Sequence, residues 1–295
     1  MVSHHEELLQ TAIAAAAKEK PRNIYFVACG GSLAFMYNQQ YIIDRETDIP
    51  SFIYSSNEFI HRSPKSLGQG SLVITCSHSG NTPETVEAAK FAREKGALTV
   101  SYSFKEDSPL WQAAEYNLHY DWGPDSNAYD HRSGMAIRFI FGFLNALQHN
   151  KMYGMALEAV KGLQDIFNRN KAKFSKAADA FGLAHKRESI IYTMGSGPLY
   201  GEAYSFAICL LQEMQWIHSA AIHSGEYFHG PFEITDYDVP FLLLKTDGET
   251  RPLDDRAYDF ASKFSKKVTV VDAKEFDWAG IDESLHSYFA TPLMG

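Results

Sequence analysis

Short apolar runs that end in small polar residues alternate with stretches of helical period along most of this chain. "IYFVA" at residues 24–28 runs into "CGGS", and "LAFMYNQQYIID" follows with apolar positions at helical spacing. That order predicts a strand, a glycine turn and a helix. "SFIYS" and "SLVITCS" read as the next two strands, the second leading through "HSGNT" into the helix "PETVEAAKFAREKG". "ALTVSYSF", "SPLWQAA" and "YNLHYDW" predict a strand, a short helix and a short strand. Alternation of this kind implies a parallel sheet covered by helices. From Tyr129 to Phe181 the period is helical, with an interruption at "KMYGMA" that marks a connector. The unit then returns: "IYTMGSGPLYGEAY" parallels "IYFVACGGSLAFMY", and "VPFLLLKT", "DDRAYDFASKFS" and "KVTVVDA" continue as strand, helix and strand. The pattern therefore predicts a duplicated α/β chain. A first domain is expected over residues 1–150, a helical connector over 151–180 and a second domain over 181–295. Each domain is expected to be a parallel sheet flanked by helices, a doubly wound three-layer αβα sandwich.

Composition changes this picture little. With 45% hydrophobic and 21% charged residues among 295, the chain reads as an ordinary globular protein. A formal net charge of −9 and the lack of any basic run argue against a nucleic-acid partner. No apolar stretch reaches the length of a membrane span, so no membrane partner is expected. Cys29, Cys76 and Cys209 are odd in number and widely spaced, which fits a reducing compartment rather than a disulfide framework. The alanine-rich N-terminal stretch lacks the charged start and apolar core of a signal peptide, and a cytoplasmic location is expected.

One segment carries an anion-binding signal. In "TCSHSGNTPET", Thr75 to Thr85, a strand ends and hydroxyl residues surround a glycine before a helix begins. Thr82 or Asn81 is placed to cap that helix, and Pro83 suits its first turn. Free N–H groups and the positive end of the helix dipole favour a phosphate there. Ser77, Ser79 and Thr82 add donors, and Gly80 lets the backbone come close. A capped helix after a serine turn is the plainer reading. A second glycine turn after a strand, Gly30 to Ser32, favours the phosphate, since both turns fall at the carboxyl edge of the predicted sheet. Neither a Walker lysine nor a good GxGxxG is present, so nucleotide hydrolysis is not expected.

"LLQEMQWIHSAAIHSGEYFHGPFEI", Leu210 to Ile234, leaves three readings open. His218, His223, Glu226 and His229 would be a metal set if they shared a helical face, but the second helical motif and further glutamates of such sites are missing. No metal is therefore assigned. Trp216, Ile217, Tyr227, Phe228 and Phe232 read as packing residues. For acid–base chemistry, Glu213 ends an apolar helix, and burial among Cys209, Leu210, Met214 and Trp216 would raise its pKa. His229 precedes Gly-Pro on a turn and can both give and take a proton near neutral pH.

Taken together, "YFVACGGS", "SSNEF", "SHSGNTPET" and "QEMQWIHSAAIHSGEYFHGPFEIT" resemble sugar-isomerase (SIS) domains over nearly the whole chain. They look like the isomerase half of glucosamine-6-phosphate synthase and, more closely, the fructosamine-6-phosphate deglycases of the fructose-asparagine type. The resemblance implies that Ser77, Ser79 and Thr82 hold a sugar phosphate with Ser32 and His78 near it, supported by Gly31 and Gly80. His78 stands where the synthase has a glutamine. Glu213 matches the glutamate that moves a proton between C1 and C2, and His229 the histidine that assists ring opening. His218, His223 and Glu226 become pocket support. The implied reaction needs no cofactor, acts on a small phosphosugar, and runs in a homodimer with active sites shared between subunits. Phe206 and Leu210 replace a glutamate and a lysine of the synthase, and 295 residues leave no room for a glutamine amidotransferase domain. Both favour deglycation over amination. An aldose–ketose isomerase or a non-catalytic phosphosugar sensor is the alternative. The resemblance also implies a longer tail beyond "HSYFATPLMG" that helps roof the site.

Overall fold

A computed structural model describes residues 3–123 and 126–294. The chain divides into two compact units, Met1–Gln164 and Asp165–Gly295.

The first unit opens with α1 (His4–Glu19), capped by Ser3, whose hydroxyl accepts the Glu6 N–H at 3.3 Å. It continues through β1 (Asn23–Ala28), α2 (Gly30–Glu46), β2 (Ser51–Ser55), α3 (Ser56–Arg62), β3 (Ser71–Cys76), α4 (Pro83–Glu94), β4 (Leu98–Ser103), α5 (Pro109–Ala113) and β5 (Tyr116–His119). Helices α6 (Arg132–Gln148) and α7 (Lys151–Ala159) follow. All strands pair in parallel in the order β2-β1-β3-β4-β5. Strands β1 and β3 are buried at every position. Helices cover both faces of central strands in such a sheet, which is why both strands read as unbroken apolar runs. On one face Tyr25, Val27 and Val73 pack with Ala88 and Ala92 of α4.

Helix α8 (Leu163–His185) leads into the second unit. There follow β6 (Ile190–Gly195), α9 (Tyr200–Ser205), a π-helix over Phe206–Met214, β7 (His218–His223), β8 (Phe241–Lys245), α10 (Arg251–Phe264), β9 (Val268–Asp272) and α11 (His286–Met294). Its strands are again parallel, in the order β7-β6-β8-β9. This is the order of the first four strands of the first unit, so the duplication seen in the sequence extends to topology. Among the described residues, no helix is long and apolar enough to cross a membrane.

The segment between α9 and β8 departs from expectation. The apolar helix expected to run to Glu213 widens into the π-helix after Ser205. Gln215 then bonds back to the Leu210 carbonyl, and Trp216 takes a left-handed φ of 58°. A bulky residue there is strained, and the turn directs the chain into an edge strand. "HSAAIH" is that strand, because it pairs with β6 in register from Ile190↔His218 to Gly195↔His223.

Candidate active site

The order β2-β1-β3 places a switch point between β1 and β3, where open α/β sheets bind ligands at their carboxyl ends. The loop after β1 is reduced to Cys29, because α2 starts at Gly30, whose φ of 55° suits glycine. Gly31 and Ser32 lie in the first turn of α2, and Ser32 N–H donates to the Cys29 carbonyl at 3.1 Å.

The loop after β3 forms a cradle. The Ser77 and Thr82 hydroxyls lie 2.8 Å apart, and Ser77 itself is buried. Ser79 Oγ accepts the Asn81 N–H at 3.2 Å. Thr82, not Asn81, is the N-cap of α4, yet its hydroxyl makes no capping bond and turns to Ser77 instead. Pro83 has no N–H and the Thr85 N–H donates to the Thr82 carbonyl at 3.0 Å, so the Glu84 N–H is the first-turn donor left to the loop. Gly80 has φ 67°, and a Cβ there would lie 2.0 Å from Ser108 Oγ, so only glycine fits.

His78 is held as part of a wall. Its Nδ1 is 3.0 Å from the Tyr120 hydroxyl, its ring lies flat on Phe104 at 5.2 Å and 7°, and Trp122 meets it edge-on at 4.8 Å. Burial, then the Arg132 and Lys105 charges, lower its pKa from 6.5 and keep it neutral.

Arg132, the first residue of α6, is a further candidate site residue, not singled out by its place in a helical stretch. Its guanidinium sits 4.7 Å from the Phe35 ring centre on α2. Its charge is felt at Cys76, His78 and Tyr120, around the mouth of the cradle. Its Nε is buried without a hydrogen-bond partner. In an acidic chain, this is a cation beside an anion cradle. The only sequence signal was an arginine at the first position of the apolar helix "RSGMAIRFIFGF".

In the second unit, Glu213 and His229 are both exposed. The condition set for a raised pKa, burial of Glu213 among Cys209, Leu210, Met214 and Trp216, is not met within the chain: Met214 and Trp216 are 69% and 88% exposed. The end of the π-helix carries Glu213 and Met214 outward, and the left-handed turn after it does the same for Trp216. His218 and His223 open and close β7. Five residues apart on a strand, they point to opposite faces and lie roughly 16 Å apart, so no shared helical face exists and the metal set of that stretch cannot assemble. His223 Nδ1 accepts the Gly225 N–H at 3.1 Å, and Glu226 lies exposed on the turn beyond it. A shallow cavity has Tyr192, Tyr200, His223 and Glu226 in its lining. Of the expected packing residues, Tyr227 is fully buried against Phe241, with Phe228 and Phe232 beside it, whereas Trp216 is not packed at all.

A parallel αβα fold with a hydroxyl-lined loop at its switch point is the arrangement of proteins that take phosphate-bearing ligands. Residues 19–139 match the SIS domain family. A fructosamine deglycase of Bacillus subtilis (strain 168), FrlB, is 52% identical over 92% of this chain and 83% of its own length. A fructoselysine 6-phosphate deglycase of Escherichia coli (strain K12) is 29% identical over 100% of this chain and 84% of its own. A Bacillus subtilis protein solved as a candidate phosphosugar isomerase superposes with a TM-score of 0.94 at 50% identity, covering 98% of this chain and 88% of that one. The chain belongs to the SIS-domain fructosamine and fructoselysine 6-phosphate deglycase family.

Proposed function

We propose that the chain cleaves a fructosamine 6-phosphate, a sugar phosphate bearing an amino acid at C1, to glucose 6-phosphate and the free amino acid. The observation that carries this reading is the cradle of Ser77, Ser79 and Thr82 at the N-terminus of α4, with Arg132 as the nearby countercharge. The family resemblance supplies the chemistry. Ser32 and the cradle hydroxyls anchor the phosphate, and that anchoring holds the reacting carbon in place. His229 assists ring opening. Glu213 takes a proton from C1 to give an enaminol and returns it at C2, leaving an imine at C1. Water adds to the C1=N bond, and the amine leaves with the proton it needs. Fructose-asparagine 6-phosphate is the substrate favoured by the likeness of the "QEMQWIHSAAIHSGEYFHGP" block.

The exposure of Met214 and Trp216 beside Glu213 supports a homodimer. A second copy covering these side chains would desolvate the Glu213 carboxylate and suit it to proton transfer. Sedimentation equilibrium is expected to give a dimer; a monomer with full activity removes this part.

A panel of fructose-amino acid 6-phosphates, assayed for glucose 6-phosphate release, tests the function. Release from one or more of them is expected. Interconversion of fructose 6-phosphate with an aldose phosphate, without amine release, would make the chain an isomerase. Phosphosugar binding without turnover would make it a sensor.

A further inference from the structure

A second group of side chains in the first unit plays no part in that reaction. His5, in the first turn of α1, faces His119 at the end of β5 and Asp121 just beyond it. His5 Nε2 lies 2.6 Å from His119 Nδ1 and 3.7 Å from Asp121 Oδ1. One ligand atom from each of the three lies within 4.8 Å of the others. We propose that His5, His119 and Asp121 bind one divalent transition-metal ion of the Zn²⁺ type, fastening α1 to the edge of the sheet.

Two imidazoles and a carboxylate are a donor set that suits zinc. The surroundings set the imidazoles up for it. His119 Nε2 lies 2.8 Å from the Phe104 carbonyl, which can only accept, so Nε2 carries the proton. Nδ1 is left as the lone-pair nitrogen facing His5. A ligating histidine that donates its other N–H to a backbone carbonyl is the usual outer-sphere arrangement of metal sites. His5 Nδ1 in turn lies 4.0 Å from Asp130 Oδ1, a carboxylate that Arg138 holds at 3.0 Å. Glu106 Oε1 lies 3.9 Å from His119 Nδ1 but pairs with His4 Nε2 at 3.0 Å, so a fourth ligand would come from water or from Glu106 turning away from His4. An imidazole pair sharing one hydrogen bond would account for the short nitrogen contact alone. It does not account for carboxylates converging on the same two rings from Asp121, Glu106 and Asp130. Metal–nitrogen bonds of about 2.0–2.1 Å hold tetrahedral donors roughly 3.3 Å apart. Binding therefore asks the two rings to open slightly and Asp121 to close slightly.

The ion would not touch substrate. It would stiffen the wall behind the cradle, because the Phe104 ring stacks on His78 and Trp122, the residue after Asp121, packs on His78 as well.

The test uses the full chain without an affinity tag, stripped with chelator, then dialysed against Zn²⁺ and counted by elemental analysis. One Zn²⁺ per chain is expected, with a rise in Tm that EDTA reverses. Co²⁺ in its place should show the intense visible bands of four-coordinate geometry. His119→Ala, His5→Gln and Asp121→Asn should each weaken Zn²⁺ binding by at least about tenfold, while His61→Ala, on the exposed face of α3, leaves it unchanged. His5→Gln keeps the helix and a polar side chain, so its loss of binding is not a loss of fold. Failure to retain Zn²⁺, or retention unaffected by both His5→Gln and His119→Ala, overturns the proposal.

Discussion

The loop after β3 and the loop after β8 hold the same place in two sheets of the same strand order, yet they treat negative charge in opposite ways. The first, residues 77–82, reads "SHSGNT"; the second, residues 246–250, reads "TDGET". Both lead into helices with proline in the first turn, α4 and α10. Two residues after those prolines stand Thr85 and Asp254, both fully buried. Thr85 shares a hydrogen bond of 2.9 Å with the Ser56 hydroxyl, in the residue that follows β2. Asp254 accepts the Thr246 N–H at 3.1 Å, and Ser224, the residue that follows β7, lies near it. The second unit thus carries its own carboxylate where a loop N–H would meet an external anion. Asp247 and Glu249 add further negative charge, Asp247 pairs with His286 at 3.1 Å, and a Cβ on Gly248 would lie 2.7 Å from that of Ser287. The same backbone plan yields an open, hydroxyl-lined loop in one half and a filled, acidic loop in the other. The fold supplies the helix end, and two or three side chains decide what it binds.

The sharpest division is between chemistry and anchoring. Glu213→Gln should lower kcat on the order of a thousandfold with KM little changed, measured by steady-state glucose 6-phosphate release; a KM effect without a kcat effect would reverse the assigned roles. The contrast between the two loops breaks if Thr85→Asp gives the first unit the second unit's built-in charge. That substitution should raise KM about a hundredfold, since like charges placed side by side cost several kcal/mol. Unchanged KM would mean the phosphate sits elsewhere.

Gly80→Ala should destabilise the chain by roughly 2–4 kcal/mol in urea unfolding, combining a left-handed φ with overlap against Ser108. Smaller still, Thr82→Val should raise KM about tenfold through one lost donor, while Thr250→Val, at the N-cap of α10, leaves KM unchanged. Equal effects from the two threonines would erase the distinction between the loops.

Burial pushes the Asp254 carboxyl above its ordinary 3.8, against the pull of the Ser224 hydroxyl, the Thr246 N–H and the Ser196 hydroxyl. Between the unfolded and folded values the native chain holds the extra proton. The contribution of Asp254 to stability is therefore full below 3.8 and is lost as pH rises through its folded value. Asp254→Asn should flatten the Tm–pH curve just above 3.8; an unaltered curve would mean that Asp254 does not titrate there.

Strand and helix order was legible in the sequence wherever apolar runs met glycine or serine turns, and so was the cradle, because its hydroxyls, glycine and proline are contiguous. β7 was not. "HSAAIH" is short, half polar and an edge strand, and only its pairing with β6 reveals it. Arg132 was hidden for a different reason. It stands far along the chain from the cradle and comes near it only because α6 starts beside Phe35 of α2. His5 and His119 are 114 residues apart, beyond any spacing rule for metal ligands.

Taken alone, the sequence determined the duplicated α/β order and the cradle's chemical character, because both are written in local period and contiguous residue types. Tertiary structure decided the rest. The pairing of β6 with β7 set His218 and His223 on opposite faces, and a π-turn ending at a left-handed Trp216 carried Glu213 to the surface. The buried Asp254 filled one of two like loops. These outcomes depend on which distant groups are brought within hydrogen-bond or Coulomb range, and chain order does not specify that.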